Sequence, residues 1–286
     1  MEWERAKSII LTAFVLLNLG LAWLVFLENN RYTLSQERIG VVFSVLAENN
    51  INMYTMPMRN FAPMRHLEVS GYYYDIDELL KIFFEEGVVV EIDEVGERHY
   101  EFYTDKTSLE ISNGFIFFDN HANLVDNDEN IISIESATAI TDAFILKHFP
   151  DFVREMVLDA YSGGGLQIVY RQNYRGQIVL SNEIEFLVSS RGIEWVEMQF
   201  GRVMGYSAEA RMIFAPDEIL LTFMQRMRHE AMENPIFISD MDMVYLKEYA
   251  SDREGQFYPA VPFYRIFVMD RDDEFLINAY TNAASF

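Results

Sequence analysis

Cysteine is absent from all 286 residues. Disulfide scaffolds, thiolate zinc sites, iron–sulfur clusters and cysteine nucleophiles are excluded with it. Positive charge is scarce: 22 Lys and Arg stand against 45 Asp and Glu, a formal net charge of −23. A general nucleic-acid binder needs a basic footprint, which this chain lacks. The same scarcity argues against attachment to anionic lipid through a polybasic patch. Half of the residues are apolar, enough for one or two domains with real cores.

The charge is unevenly placed. Residues 1–31 balance Arg5, Lys7 and Arg31 against Glu2, Glu4 and Glu28, leaving 19 basic and 42 acidic residues on 32–286. Between Ser8 and Leu27 runs SIILTAFVLLNLGLAWLVFL, with no charge at all. As a helix it reaches roughly 30 Å, the thickness of a hydrocarbon core. The run is longer than a signal-peptide core, and no small-x-small cleavage site follows it. An uncleaved transmembrane helix over 8–27 is therefore expected, after a stub over 1–7. Arg5 and Lys7 precede the span and Arg31 follows it, a bias that favours a cytoplasmic N-terminus and an extracytoplasmic body. Asn18 is the strongly polar side chain inside the span, and Gly20 and Ala22 are small residues that permit close helix approach. Either Asn18 bonds to its own helix backbone, or the helix packs on another membrane helix.

These residues carry a family resemblance. The start MEWERAKSIILTAFVLLNLGLAWLVFLE resembles the N-terminus of YycI (WalI) regulatory proteins, with Trp3, Arg5, Lys7, Phe14, Leu17 and Asn18 matching the pattern. It continues through Tyr32-Thr33-Leu34-Ser35-Gln36-Glu37-Arg38-Ile39, then Leu46 with Asn49-Asn50-Ile51, and Pro57. The resemblance implies a single-pass membrane protein that works with a YycH-like partner. The two act on the WalK (YycG) sensor histidine kinase of a cell-wall two-component system through their membrane helices. Phe14, Leu17, Asn18 and Gly20 are then the candidate partner contacts, and Trp3, Arg5 and Lys7 the cytoplasmic flank.

The body is expected to be α+β, with helices packed on antiparallel sheets. Thr33-Leu34-Ser35-Gln36 has the form of a capping box, followed by Ile39, Val42, Phe43 and Leu46 at helical spacing. Met53–Pro63 is expected to be an extended loop. A second helix is expected over Asp75–Glu86, then strands at Val88–Asp93, Arg98–Thr104, Ser108–Ser112 and Gly114–Asp119. Asn113-Gly114 marks a hairpin between the last two. The polar stretch Asp119–Asn130 separates a first unit (32–126) from a second region (131–286), itself divided into possible half-repeats over 131–205 and 214–286. The second region opens with a helix near Ser136–Phe149, and strands follow at Gln167–Asn173, Gly176–Ser189 and Ile193–Gly201. A helix beginning at Pro216 precedes strands at Met241–Glu248, Tyr264–Met269 and Glu274–Ala279. The second half is weakly PepSY-like: Pro262-Phe263-Tyr264-Arg265-Ile266 and Ala279-Tyr280 occupy that pattern, without its Trp.

No chemistry-bearing motif rises above background. His66, His99, His121, His148 and His229 stand in no metal-binding spacing. His121 with Asp119, Asp126 and Asp128 lacks the EF-hand spacing and its fixed Gly and suits a solvated loop, with a cation site as the alternative. Gly163-Gly164-Gly165 precedes a strand, so it forms no phosphate cradle. The acidic pairs Asp75/Asp77, Glu85/Glu86 and Asp272/Asp273 are expected by chance in so acidic a chain. Tyr72-Tyr73-Tyr74 and Phe115-Ile116-Phe117-Phe118 are expected in the core or on strand faces, with a partner surface as the alternative. Met53, Met56, Met58 and Met64 are expected to pack the loop on the core, or to form an adaptable contact. The reading is a non-enzymatic, membrane-anchored kinase regulator that needs no cofactor and no metal. The alternative is a membrane-anchored binding module for a cell-wall polymer or peptide.

Overall fold

The structure, a computed structural model, describes residues 2–71, 75–84, 91–96, 99–112, 114–120, 132–159, 165–248, 257–271 and 274–285. The chain is mixed α+β with one long N-terminal apolar helix, α1 (Glu2–Arg31). Two compact units follow from the packing. One comprises Met1–Met64, Ala210–Asp242 and Tyr264–Phe286; the other comprises Arg65–Glu209 and Met243–Phe263. The long strands β12 (Ile236–Lys247) and β13 (Phe257–Val268) contribute residues to each.

In the first unit, α2 (Gln36–Glu48) buries Ile39, Val42 and Leu46 at helical spacing. Its N-cap is Ser35, whose hydroxyl accepts the Arg38 N–H at 3.3 Å. The expected Thr33 box is displaced by two residues, because Thr33 is taken up in a bridge to Asn60. The sheet here runs β1 (Ile51–Met53), β12, β13, β14 (Glu274–Asn278) and β15 (Ala284–Ser285). Helix α5 (Pro216–Glu233) starts on Pro216, and the Glu218 carboxylate accepts the Ala215 N–H at 3.1 Å. Its buried stripe Ile219, Leu220, Phe223, Met227 and Ala231 faces this core, and Phe223 meets Phe275 edge-on at 5.2 Å.

The second unit holds two helix-plus-meander segments. Helix α3 (Ile76–Phe83), capped by Asp75, leads β3 (Glu91–Gly96), β4 (His99–Tyr103), β5 (Thr107–Ser112) and β6 (Phe115–Asn120). Helix α4 (Ile134–His148), capped by Ser133, leads β7 (Phe152–Asp159), β8 (Leu166–Tyr174), β9 (Gln177–Ser189) and β10 (Gly192–Gln199). Strands β2 (Leu67–Ser70) and β11 (Val203–Tyr206) complete the order β11-β2-β13-β12-β9-β10-β6-β5-β4-β3, with β7 and β8 laid against β9. Arg175 and Gly176, both at positive φ, make the two-residue turn between β8 and β9. One core joins the two segments: Leu79, Leu109, Ile116, Ile145, Ile168 and Phe186 all lie in it.

The expected helices and hairpins are present within a few residues. Gly114 sits at the β5–β6 turn with φ 88°, while Asn113, Glu85, Glu86 and 88–90 lie outside the described residues. Five strands were not expected: β1, β2, β7, β11 and β15. Strand β7 has no buried–exposed alternation, and among the described strands it pairs with β8. Strand β13 begins seven residues before the expected start, because Pro259 and Pro262 argue against strand in sequence. Pro259 is accommodated because it offers its carbonyl, which accepts the Glu248 N–H at 3.1 Å.

Candidate functional site

Helix α1 is continuous from Glu2, so the stub residues Trp3, Arg5 and Lys7 are its first turns. Over 5–25 it is long and apolar enough to cross a membrane, and every one of those side chains is exposed. Among the described residues none of this 21-residue stretch is buried, so its apolar surface is left outside any protein core. Phe14, Leu17 and Asn18 share one side of it by helical spacing. Gly20 is turned about 160° from Asn18 but only about 60° from Leu17 at 100° per residue, so it adjoins Leu17 at the edge of that side. Asn18 Nδ2 donates to the Phe14 carbonyl at 2.8 Å, the self-satisfied arrangement. That bond uses one of two amide N–H groups. Thr12 does likewise, its hydroxyl donating to the Ser8 carbonyl at 2.9 Å.

The chain is pinned where α1 ends. The Phe61 N–H donates to the Tyr32 carbonyl at 2.9 Å, and the Leu34 N–H donates to the Arg59 carbonyl at 2.7 Å. Tyr32 meets Phe61 edge-on at 6.2 Å, and the Arg31 guanidinium lies 5.6 Å over the Tyr32 ring. The result is a short aromatic and basic collar directly after the apolar helix. Sequence reasoning missed it, because 28 residues of α2 and loop separate Tyr32 from Phe61. Within that loop Met56 is exposed, while Met53, Met58 and Met64 are half-buried, so only part of the methionine set packs inward.

Elsewhere the polar groups hold structure. Tyr170 on β8 donates to Asp142 Oδ1 at 2.6 Å, with Thr141 Oγ1 2.7 Å from the same hydroxyl. Arg154 donates to the other Asp142 oxygen at 2.9 Å. Burial first, and then the Asp142 acceptor, push the Tyr170 phenol well above its ordinary range. It stays neutral and clamps α4 to the sheet. Tyr170→Phe should cost about 1–2 kcal/mol, read as a lower denaturation midpoint with unchanged secondary structure. A loss under a few tenths would show that the clamp is not needed.

The histidines do not converge. His99 lies near Glu101 and Glu110, the His148 ring lies 4.9 Å from Phe144 at a tilt of 49° with burial lowering its pKa, and His229 is exposed. His121, Asp126 and Asp128 lie outside the described residues, as do Tyr72–Tyr74, Gly163, Gly164, Asp272 and Asp273. Among the described residues no group of three or more His, Asp or Glu side chains is placed to hold a metal ion. Phe115-Ile116-Phe117-Phe118 splits by strand alternation. Ile116 and Phe118 enter the core, while Phe115 and Phe117 stand on the opposite face.

No family model matches this chain, and no curated protein matches it. Among solved structures it is similar to an uncharacterized protein from Eubacterium rectale ATCC 33656, with a TM-score of 0.56 and 12% identity over 83% of this chain and 91% of that one. It also aligns with the Bacillus megaterium YpeB C-terminal domain, with a TM-score of 0.46 and 11% identity over 76% of this chain and 97% of that one. At such identities the likeness is one of fold, and the fold is the mixed α+β arrangement of helices on antiparallel-dominated sheet.

Proposed function

We propose that this chain is a single-pass, membrane-anchored regulator with no catalytic activity of its own. It binds the sensor histidine kinase of a cell-wall two-component system, of the WalK (YycG) kind, together with a YycH-like protein. The observation that carries this reading is α1, an exposed apolar helix whose Trp3, Arg5, Lys7, Phe14, Leu17 and Asn18 match the YycI pattern. The N-terminus is cytoplasmic and the acidic body extracytoplasmic, where its charge keeps a tethered domain soluble. Arg31 stands four residues beyond Leu27 on the same helix, about 6 Å along the axis. That is headgroup level, where Arg31, Tyr32 and Phe61 are suited to fix the depth of the span. Association biases the kinase only if its two signalling states bind the regulator differently.

The test is co-purification of the kinase with the tagged full chain from membranes. Exchange of 8–27 for a Leu/Ala span of equal length should abolish most of the association. Asn18→Leu should weaken it roughly five-fold, on the order of 1 kcal/mol for an interhelical polar contact in lipid. Unchanged association and signalling after the exchange would overturn the membrane-helix mechanism. Retained function would then favour an anchored binding module for a wall polymer or peptide.

A further inference from the structure

The sheet of the second unit has one face buried under α3 and α4, lined by Leu109, Ile116, Phe118, Phe186 and Met198. The opposite face is partly exposed and carries a row that crosses five strands. Glu101 on β4 stands opposite Glu110 on β5, and Glu110 opposite Phe117 on β6. Phe117 stands opposite Glu197 on β10, and Glu197 opposite Glu185 on β9. Two steps of this row set carboxylates directly across from each other, an arrangement that destabilises a sheet.

The two glutamate pairs are treated differently. His99 Nε2 lies 3.2 Å from Glu101 and 3.5 Å from Glu110, bridging the first pair. Glu185 and Glu197 are bridged by no basic side chain among the described residues. Glu185 accepts from the Gln167 amide, and the nearby Arg171 pairs with Glu183 at 3.0 Å. Burial, followed by the neighbouring carboxylates, holds both Glu185 and Glu197 above the usual carboxylate range. Aromatic rings stand beside the row. Trp195 lies 6.1 Å from Phe117 with its ring tilted 34°, and Phe115 and Phe117 line a shallow depression with Glu110 and Ser112.

A lone metal ion does not suit this face. The carboxylates lie along a line of four strand intervals, about 19 Å, and do not converge. The complement is an extended ligand with several cationic groups. Guanidinium fits best: its planar fork matches a carboxylate, and its face stacks on Trp and Phe. We propose that this sheet face docks an arginine-bearing segment of a partner protein. The glutamate row then costs stability in the free chain and is neutralised in the complex. The inference does not depend on α1 or on the identity of any kinase.

The test uses the full chain in zwitterionic nanodiscs and a labelled, capped seven-residue peptide alternating Arg and Ser. Binding is read by fluorescence anisotropy. The Glu185→Gln/Glu197→Gln variant should bind at least ten-fold more weakly while melting at a higher temperature than the parent. Trp195→Leu should weaken binding several-fold with the carboxylates intact. A control variant, Glu135→Gln/Glu233→Gln, changes two exposed acids on α4 and α5 and should bind within two-fold of the parent. The peptide with Lys in place of Arg should bind several-fold more weakly to the parent chain. Equal losses in the face and control variants would reduce the effect to general attraction by an acidic body, and overturn the proposal. So would equal affinity for the Arg and Lys peptides, or no binding of the Arg peptide at millimolar concentration.

Discussion

Arg265→Met should lower the melting midpoint by roughly 10 °C, the largest single-residue loss in the first unit. Arg265 is 2% exposed and sits on β13 between two acidic strands. Its Nε and Nη2 donate to the two Asp242 oxygens on β12 at 2.9 and 2.6 Å, and Nη1 donates to Glu274 on β14 at 3.2 Å. Removing the guanidinium takes the counter-charge from Glu274, whose side chain is 12% exposed. Breaking a buried pair in this way costs about 3–5 kcal/mol, and each kcal/mol is worth about 2–4 °C at this chain size. Arg265→Lys should lose less, because it keeps the charge but not the fork. Adding Asp242→Leu and Glu274→Leu to Arg265→Met should recover much of the loss, since the remaining penalty is stranded charge. A midpoint within 2 °C of the parent for Arg265→Met would show that the ion triad contributes nothing net.

Two glycine-to-alanine substitutions should act in opposite directions. A Cβ on Gly201 would stand 2.3 Å from the Ser70 carbonyl oxygen and 2.7 Å from Val69 Cγ1. Neither neighbour yields easily: the adjacent Ser70 N–H donates to the Arg202 carbonyl at 2.9 Å, and Val69 is buried. Gly201 is also held on both sides by the buried Asn182 amide, which accepts its N–H at 3.1 Å and donates to its carbonyl at 2.8 Å. Gly201→Ala should therefore cost about 3 kcal/mol through overpacking and a displaced backbone. Gly40→Ala lies on the exposed side of α2 with nothing within 4 Å of the new Cβ. It should stabilise by about 0.5–1 kcal/mol through helix propensity alone. Chemical denaturation of both variants settles the pair, and a loss at Gly40 or neutrality at Gly201 would refute the packing argument.

Legibility followed periodicity. Helix α2 was legible from Ile39, Val42 and Leu46, which the fold buries in that order. The β5–β6 hairpin was legible from Asn113-Gly114, because a two-residue turn is written locally. Strand β7 was not, because among the described strands its pairing is with β8 and its side chains carry no alternation. The candidate contacts on α1 were legible as residue types and as one side of a helix. Spacing puts Phe14, Leu17 and Asn18 together and sets Gly20 beside Leu17 at their edge. The glutamate row was hidden for a different reason. In sequence its members are scattered from Glu101 to Glu197 among 45 acids, and only the strand registers align them.

The sequence by itself determined where the chain is neutral and where it is acidic. It also determined one apolar helix of membrane length, the helix stripes and the tight turns. Each of these depends on residues within a few positions of one another, so composition and period are sufficient. Tertiary structure decided which glycine has no room for a methyl group, which arginine lies buried between two carboxylates, and which of many glutamates face one another. Those outcomes depend on pairing between distant segments, and a shift of one residue in register would move each side chain to the other face of its strand. The scarcity of positive charge therefore takes a specific form in the fold. Arg265 is spent inside the first unit, His99 bridges Glu101 and Glu110, Arg171 pairs with Glu183, and Glu185 and Glu197 face each other with no basic side chain bridging them among the described residues.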